Sequence, residues 1–121
     1  MSHTSEVKNI NINKTHENAL KRAAEKVGGQ FLGWGEHKLY SSKETGFGIK
    51  LKNWRYPIVI NGTTIKMDNY NGSWGKQSEL DGFNTRLRTE IAAEAYRKQG
   101  HVVTERVISD TKIELFVNVG E

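Results

Sequence analysis

The sequence predicts an α+β domain, a two-layer sandwich in which one largely antiparallel sheet carries two helices on one face. Three observations predict it. Apolar residues recur at helical spacing in two separate stretches, Leu20-Ala23-Ala24-Val27 and Leu80-Phe83-Leu87-Ile91-Ala95. Strict alternation marks Phe47, Ile49, Leu51 and again Ile113, Leu115, Val117, Val119. Between these blocks, Asn61-Gly62 separates two β-branched runs, the pattern of a tight hairpin.

Taken in order, Ser5 to Asn13 reads as a first strand with Ile10 and Ile12 on one face, although its three asparagines are poor strand formers. Thr15 stands where an N-cap belongs and Gly28 where a left-handed C′ residue belongs, bounding a helix of three to four turns. Gln30 to Tyr40 is aromatic and glycine-rich and fits two short strands or one bulged strand. The Phe47-Ile49-Leu51 strand alternates with Gly48, Lys50 and Lys52, which implies one wet face. Ile58 to Met67 is the hairpin, with a type I′ turn at Asn61-Gly62. Asp68 to Gln77 is a loop. Ser78 and Asp81 have the spacing of a capping box, opening a helix of about five turns and roughly 30 Å that Gly100 ends. Val102-Val103 with Val107-Ile108, the turn Ser109-Asp110-Thr111 and Ile113 to Val119 complete the chain as a second hairpin. The 121 residues contain one proline, Pro57, and no linker-like run, so residues 1–121 are expected to form a single domain.

Composition excludes several function classes. No apolar run approaches the roughly 18 residues of a spanning helix, so no membrane partner is expected. Met1 leads into Ser-His-Thr-Ser-Glu without an apolar segment, which argues against a secretory leader. Cysteine is absent, which removes disulfides, thiolate catalysis and cysteine-held metals and suits a reducing, cytoplasmic compartment. The net charge of +4 is too small over the whole chain to demand a polyanionic partner.

The residues that could carry chemistry are scattered. His3, His16, His37 and His101 lie far apart in sequence, and no metal-binding spacing occurs. Glu90 and Glu94 could imitate a catalytic carboxylate pair. However, Arg86 and Lys98 extend them into an i,i+4 ladder, which reads as a solvated helix flank. Gly33-Trp34-Gly35 and Gly46-Phe47-Gly48 lack the third glycine of a dinucleotide fingerprint, with Lys38 and Leu51 in those places. No G-x-S-x-G elbow exists. No catalytic residue, metal site or cofactor is therefore assigned.

One local feature remains. From Glu36 to Arg55, Lys38, Lys43, Lys50, Lys52 and Arg55 face only Glu36 and Glu44, and the stretch runs into Trp54 and Tyr56. Tyr70 and Trp74 follow in the loop beyond the hairpin. This suggests a non-enzymatic binding or adaptor protein that uses the Trp54, Tyr56, Tyr70, Trp74 group for a protein partner or for self-association. The alternative is single-stranded nucleic acid binding, with Lys50, Lys52 and Arg55 on phosphates and Trp54, Tyr70 and Trp74 stacking on bases. The plainer account makes the lysines a wet strand face and the tryptophans the edge of the core.

Met1-Ser2-His3, Gly46-Phe47, the segment from Leu87 through Ile91-Ala92, Ala95-Tyr96 and Gly100-His101-Val102-Val103 to Glu105, and Ile113-Glu114-Leu115-Phe116-Val117 carry a family likeness. With them the chain resembles a divergent member of the family called hypothetical chloroplast open reading frame thirty-five. That family is encoded in plastids and cyanobacteria, with relatives in other bacteria and in phages. The chain departs from its pattern at Thr4, at His101 and between Asn53 and Trp74. The family is a domain of unknown function, so the resemblance implies an α+β fold and supplies no site residues.

Overall fold

A computed structural model describes residues 5–7 and 11–118. The first strand, β1 (Ser5–Val7), pairs by its backbone with Ile65, Lys66 and Met67; the expected positions Met1 to His3, Ile10 and Val119 lie outside the described residues. Ile12 is buried and forms an isolated bridge to Gly62. Helix α1 (Glu17–Lys26) follows a single turn of tighter helix at Lys14–His16. Asn13, rather than Thr15, caps this entry: its side chain accepts from the Thr15 amide at 2.9 Å, and His16 Nδ1 accepts from the Asn13 amide at 3.2 Å. With Asn13 two residues upstream accepting from Thr15, the helix entry starts earlier than expected and Thr15 lies inside the first tight turn instead of capping it.

Strands β2 (Gln30–Lys38), β3 (Lys43–Lys50), β4 (Ile58–Asn61) and β5 (Thr64–Met67) complete an antiparallel sheet in the order β1-β5-β4-β3-β2. The glycine-rich stretch is one bulged strand, with the register shift between Phe31 and Gly33. The β4–β5 hairpin turns one residue later than the motif implied. Asn61 still pairs with Thr64, and Gly62 alone has positive φ, the pattern of a turn with glycine at its first central position. This register sets Ile60 against Ile65 in the core and leaves the Asn61 side chain donating to the Thr45 carbonyl at 3.0 Å. A turn at Asn61-Gly62 would have set Ile60 against Thr63.

Helix α2 (Gln77–Lys98) has no side-chain cap, and Ser78 lies inside it. Its start is fixed from outside. Trp54 Nε1 donates to the Lys76 carbonyl at 3.2 Å, and the Asn53 amide donates to Glu79 at 3.0 Å. Both helices end as their glycines predict. At Gly28-Gly29 and at Gly100-His101 the paired 5→2 and 6→1 hydrogen bonds of a Schellman motif close the last turn.

One face of the sheet meets both helices. Phe47, Ile49, Ile58, Ile60 and Ile65 from strands join Ala19, Leu20, Ala23 and Ala24 of α1 and Leu80, Phe83 and Leu87 of α2 in a single buried cluster. The α+β class and the two helices on one face are as expected. The last two strands depart from the one-sheet picture: among the described strands, β6 (Val102–Ser109) and β7 (Lys112–Asn118) pair only with each other and form a separate ribbon against α2. Ordinary alternation placed them on a sheet face, but nothing in it specified which sheet.

Candidate functional site

The site is built by a hairpin that folds back on its own sheet. In a flat sheet, the pairings Phe47↔Ile60 and Ile60↔Ile65 would leave Ser41 and Asp68 about 30 Å apart, at about 3.3 Å per residue. Instead the Ser41 amide donates to Asp68 Oδ2 at 3.1 Å, and Lys66 reaches Glu44 at 3.1 Å. The tip of the β2–β3 hairpin therefore lies over the outer side of β4 and β5. Two cross-strand glycine pairs, Gly33↔Gly48 and Gly35↔Gly46, make this approach possible. A side chain at Gly46 would come within 2.5 Å of the Ile60 carbonyl, and one at Gly48 would occupy the His37 ring. The Gly48 face of β3, expected to be wet, is thus covered. Leu39 and Val59 are buried apart from the main core.

Two further loops reach the same place. Trp54 is 1 % exposed and packs its ring on Gly75, where a Cβ would lie 2.2 Å away. The next residue, Arg55, donates its amide to the Trp74 carbonyl at 2.7 Å, which ties the loop before β4 to the loop after β5. Tyr70 adopts positive φ (48°), a conformation that costs on the order of 1 kcal/mol in a bulky residue and directs its ring onto Trp74. The outcome is a ring cluster centred on Trp74. Tyr40, Tyr56 and Tyr70 lie 4.9, 5.4 and 4.8 Å from it between centroids, and the Arg55 guanidinium lies 5.2 Å from its centre. Tyr40 and Tyr70 are 53 % and 41 % exposed, so the cluster is a surface patch rather than core.

Of the residues singled out from sequence, Arg55, Tyr56, Tyr70 and Trp74 come together here. Trp54 does not: it belongs to the core and acts as the anchor beneath the patch. Lys50 pairs across from Gln30 and donates to the Leu51 carbonyl at 3.0 Å. Lys52 lies beside Gly28 and borders a hollow of about 280 Å³ shared with Val27, Lys76 and Glu79. Neither lysine touches the ring cluster. Tyr40 was missed, because nothing local in the sequence tells that a residue thirty positions before Tyr70 will meet it.

The charged ladder on α2 also differs from a solvated flank. Glu90 is 1 % exposed and receives Arg22 at 3.1 Å, Lys26 at 2.9 Å and Arg86 at 3.3 Å. Glu94 takes Arg22 and Lys98, and Glu105 on β6 takes Arg86 at 2.7 Å. Burial pushes the Glu90 carboxyl up, but hydrogen bonds from Lys26 and Arg22, with the Lys26 charge, outweigh it and hold the group below the usual carboxylate range. The Arg22 hydrogen bond lowers Glu94, and the Arg86 hydrogen bond lowers Glu105. All three are ionised and paired at neutral pH, an arrangement that clamps α1, α2 and β6 together.

Among the described residues no cluster of His, Asp and Glu could hold a metal ion, and no helix is long and apolar enough to cross a membrane. No family model, curated protein or solved structure matches the chain.

Proposed function

We propose that the protein is a non-enzymatic binding module that recognises a protein partner through the patch of Tyr40, Arg55, Tyr56, Tyr70 and Trp74. The observation that carries this reading is the convergence of three loops on Trp74. Tyr, Trp and Arg are the residues most enriched among binding hot spots, because they supply area and hydrogen bonding at little entropic cost. Arg55 stacks on Trp74 and makes no ion pair among the described residues. Its fork is pre-organised for a carboxylate next to an apolar side chain of the partner. The nucleic-acid alternative has less support, since Lys50 and Lys52 lie away from the rings and leave Arg55 as the cation stacked within the patch. The resemblance noted at β3, α2 and the ribbon is part of the same proposal and adds no site residue.

The test is affinity capture from a source lysate with wild type and Trp74→Ala side by side, backed by titration of short single-stranded oligonucleotides. A protein retained by wild type and lost with Trp74→Ala is the expected result. Oligonucleotide binding that falls steeply with salt and vanishes in Trp74→Ala would overturn the reading in favour of nucleic acid.

A further inference from the structure

The molecule has four open strand edges among its described elements, and they are not alike. The β1 edge is three residues long. The β2 edge is bulged next to Gly33, and β6 is bulged between Val107 and Ser109. Short strands and bulges are the usual devices against unwanted pairing. The seven residues of β7 contain no bulge, glycine or proline, and they pair with no described strand other than β6. The β7 edge is neither short nor bulged, and its two charges, Lys112 and Glu114, have opposite signs, so it is the most regular of the four edges for pairing with another strand.

We propose that β7 pairs antiparallel with β7 of a second copy of this chain, giving a four-stranded sheet β6-β7-β7-β6 across a two-fold axis. The occupant is argued from the strand itself. Centred on Leu115, the pairing sets Leu115 against its own counterpart and Ile113 against Val117 of the partner copy, all on the face that packs on α2. On the outer face Lys112 meets Asn118 and Glu114 meets Phe116, so no like charges are opposed and all seven residues pair. Centring on Glu114 would oppose two carboxylates, which is unfavourable. Centring on Phe116 would shorten the match to five residues. Pairing also enlarges a ribbon that has only two strands and a thin apolar contact with α2 to hold it. The interface is symmetric and closed, so it ends at the dimer. It is smaller than a standard interface of about 800 Å² per partner, and the dimer is therefore concentration-dependent.

The experiment is sedimentation equilibrium of the full chain across micromolar to millimolar concentration, where the mass is expected to rise from 13.7 kDa towards twice that value. Phe116→Glu and Phe116→Lys both remove the ring, but they place opposite charges against Glu114 at two symmetric positions. The Glu variant is expected to associate about tenfold more weakly than the Lys variant, from two cross-strand pairs of up to about 1 kcal/mol each. Within one copy residue 116 lies opposite Thr104, diagonal to Arg106 and on the same face as Glu114, so the unfolding of each variant is measured alongside its association to separate monomer stability from pairing. A wild type that stays monomeric throughout, or two variants that associate equally, would overturn the proposal. The inference is independent of the aromatic patch, and Trp74→Ala is expected to leave dimerisation unchanged.

Discussion

Strands β3, β4 and β5 bury Phe47, Ile49, Ile58, Ile60 and Ile65 to 1 % exposure or less, whereas no residue of β6 or β7 is buried. Helix α2 serves both regions. Leu80, Phe83 and Leu87 in its first half enter the core, while Glu90 and Glu94 in its second half join the ion-pair network reaching the ribbon through Glu105. One region is thus held by excluded apolar area and the other by paired charge over a thin apolar contact. The two kinds of glue respond to different perturbations. Apolar burial is indifferent to pH, whereas a network of lowered carboxylates is not.

The comparison is tested hardest at Trp54. Its ring is buried against Gly75 and its indole N–H positions the start of α2, so Trp54→Ala is expected to cost about 3–5 kcal/mol in urea unfolding. The loss should be similar at pH 7 and pH 5, because no charge is involved. Glu90→Gln comes next, at about 1.5–3 kcal/mol near neutral pH, since it removes the buried carboxylate that joins Arg22, Lys26 and Arg86 and leaves them to Glu94 and Glu105 alone. Here the pH dependence has a sign. A folded pKa below the unfolded one means that the unfolded chain binds the extra proton, so Glu90 stabilises above the ordinary carboxylate range. That contribution disappears as pH falls through the folded pKa. Wild type and Glu90→Gln should converge in stability on acidification. A constant gap between them would show that Glu90 acts through shape alone.

What could be read from residues alone follows the same division. Elements set by local chemistry were legible: both helices with their glycine ends, the β4–β5 hairpin and the alternating last strands. Interactions between elements displaced the details. Trp54 took over the start of α2 from Ser78, and the pairing of Ile60 with Ile65 moved the turn from Asn61-Gly62 to Gly62-Thr63. Four of the five patch residues were visible, because Arg55, Tyr56, Tyr70 and Trp74 stand in recognisable loops. Tyr40 was invisible, since it depends on a hairpin that doubles over at two glycine pairs. Glu90 looked solvated because helical spacing reports Arg86 and cannot report Arg22 and Lys26 on another helix.

The hairpin fold-back gives a smaller effect with a local readout. Gly46→Ala places a methyl group against the Ile60 carbonyl and Val59, and overpacking of this kind costs about 1–3 kcal/mol. The strain is relieved by lifting the β2–β3 tip, which carries Tyr40 away from the patch. The expected signature is loss of Tyr40–Trp74 cross-peaks in nuclear Overhauser spectra together with weaker partner capture. Persistence of both would mean that the glycine pairs are not what brings Tyr40 to Trp74.

The smallest change separates the two regions most sharply. Glu105 is 30 % exposed on its side chain and links the ribbon to Arg86 at 2.7 Å and to Lys26 at 3.6 Å. Being partly solvated, these pairs contribute less than about 1 kcal/mol, so Glu105→Gln should barely move global unfolding. The ribbon, however, has little else to hold it, and its opening free energy lies well below that of the core. Amide hydrogens of β6 and β7 should exchange faster in Glu105→Gln, while those shared by β3 and β4 keep their protection. In wild type, acidification removes the same Glu105 link, but protonation of Glu90 lowers global stability as well, so the selective loss is read in Glu105→Gln at neutral pH. If core and ribbon amides accelerate together, the ribbon belongs to the cooperative core, and the distinction between apolar and ionic regions fails.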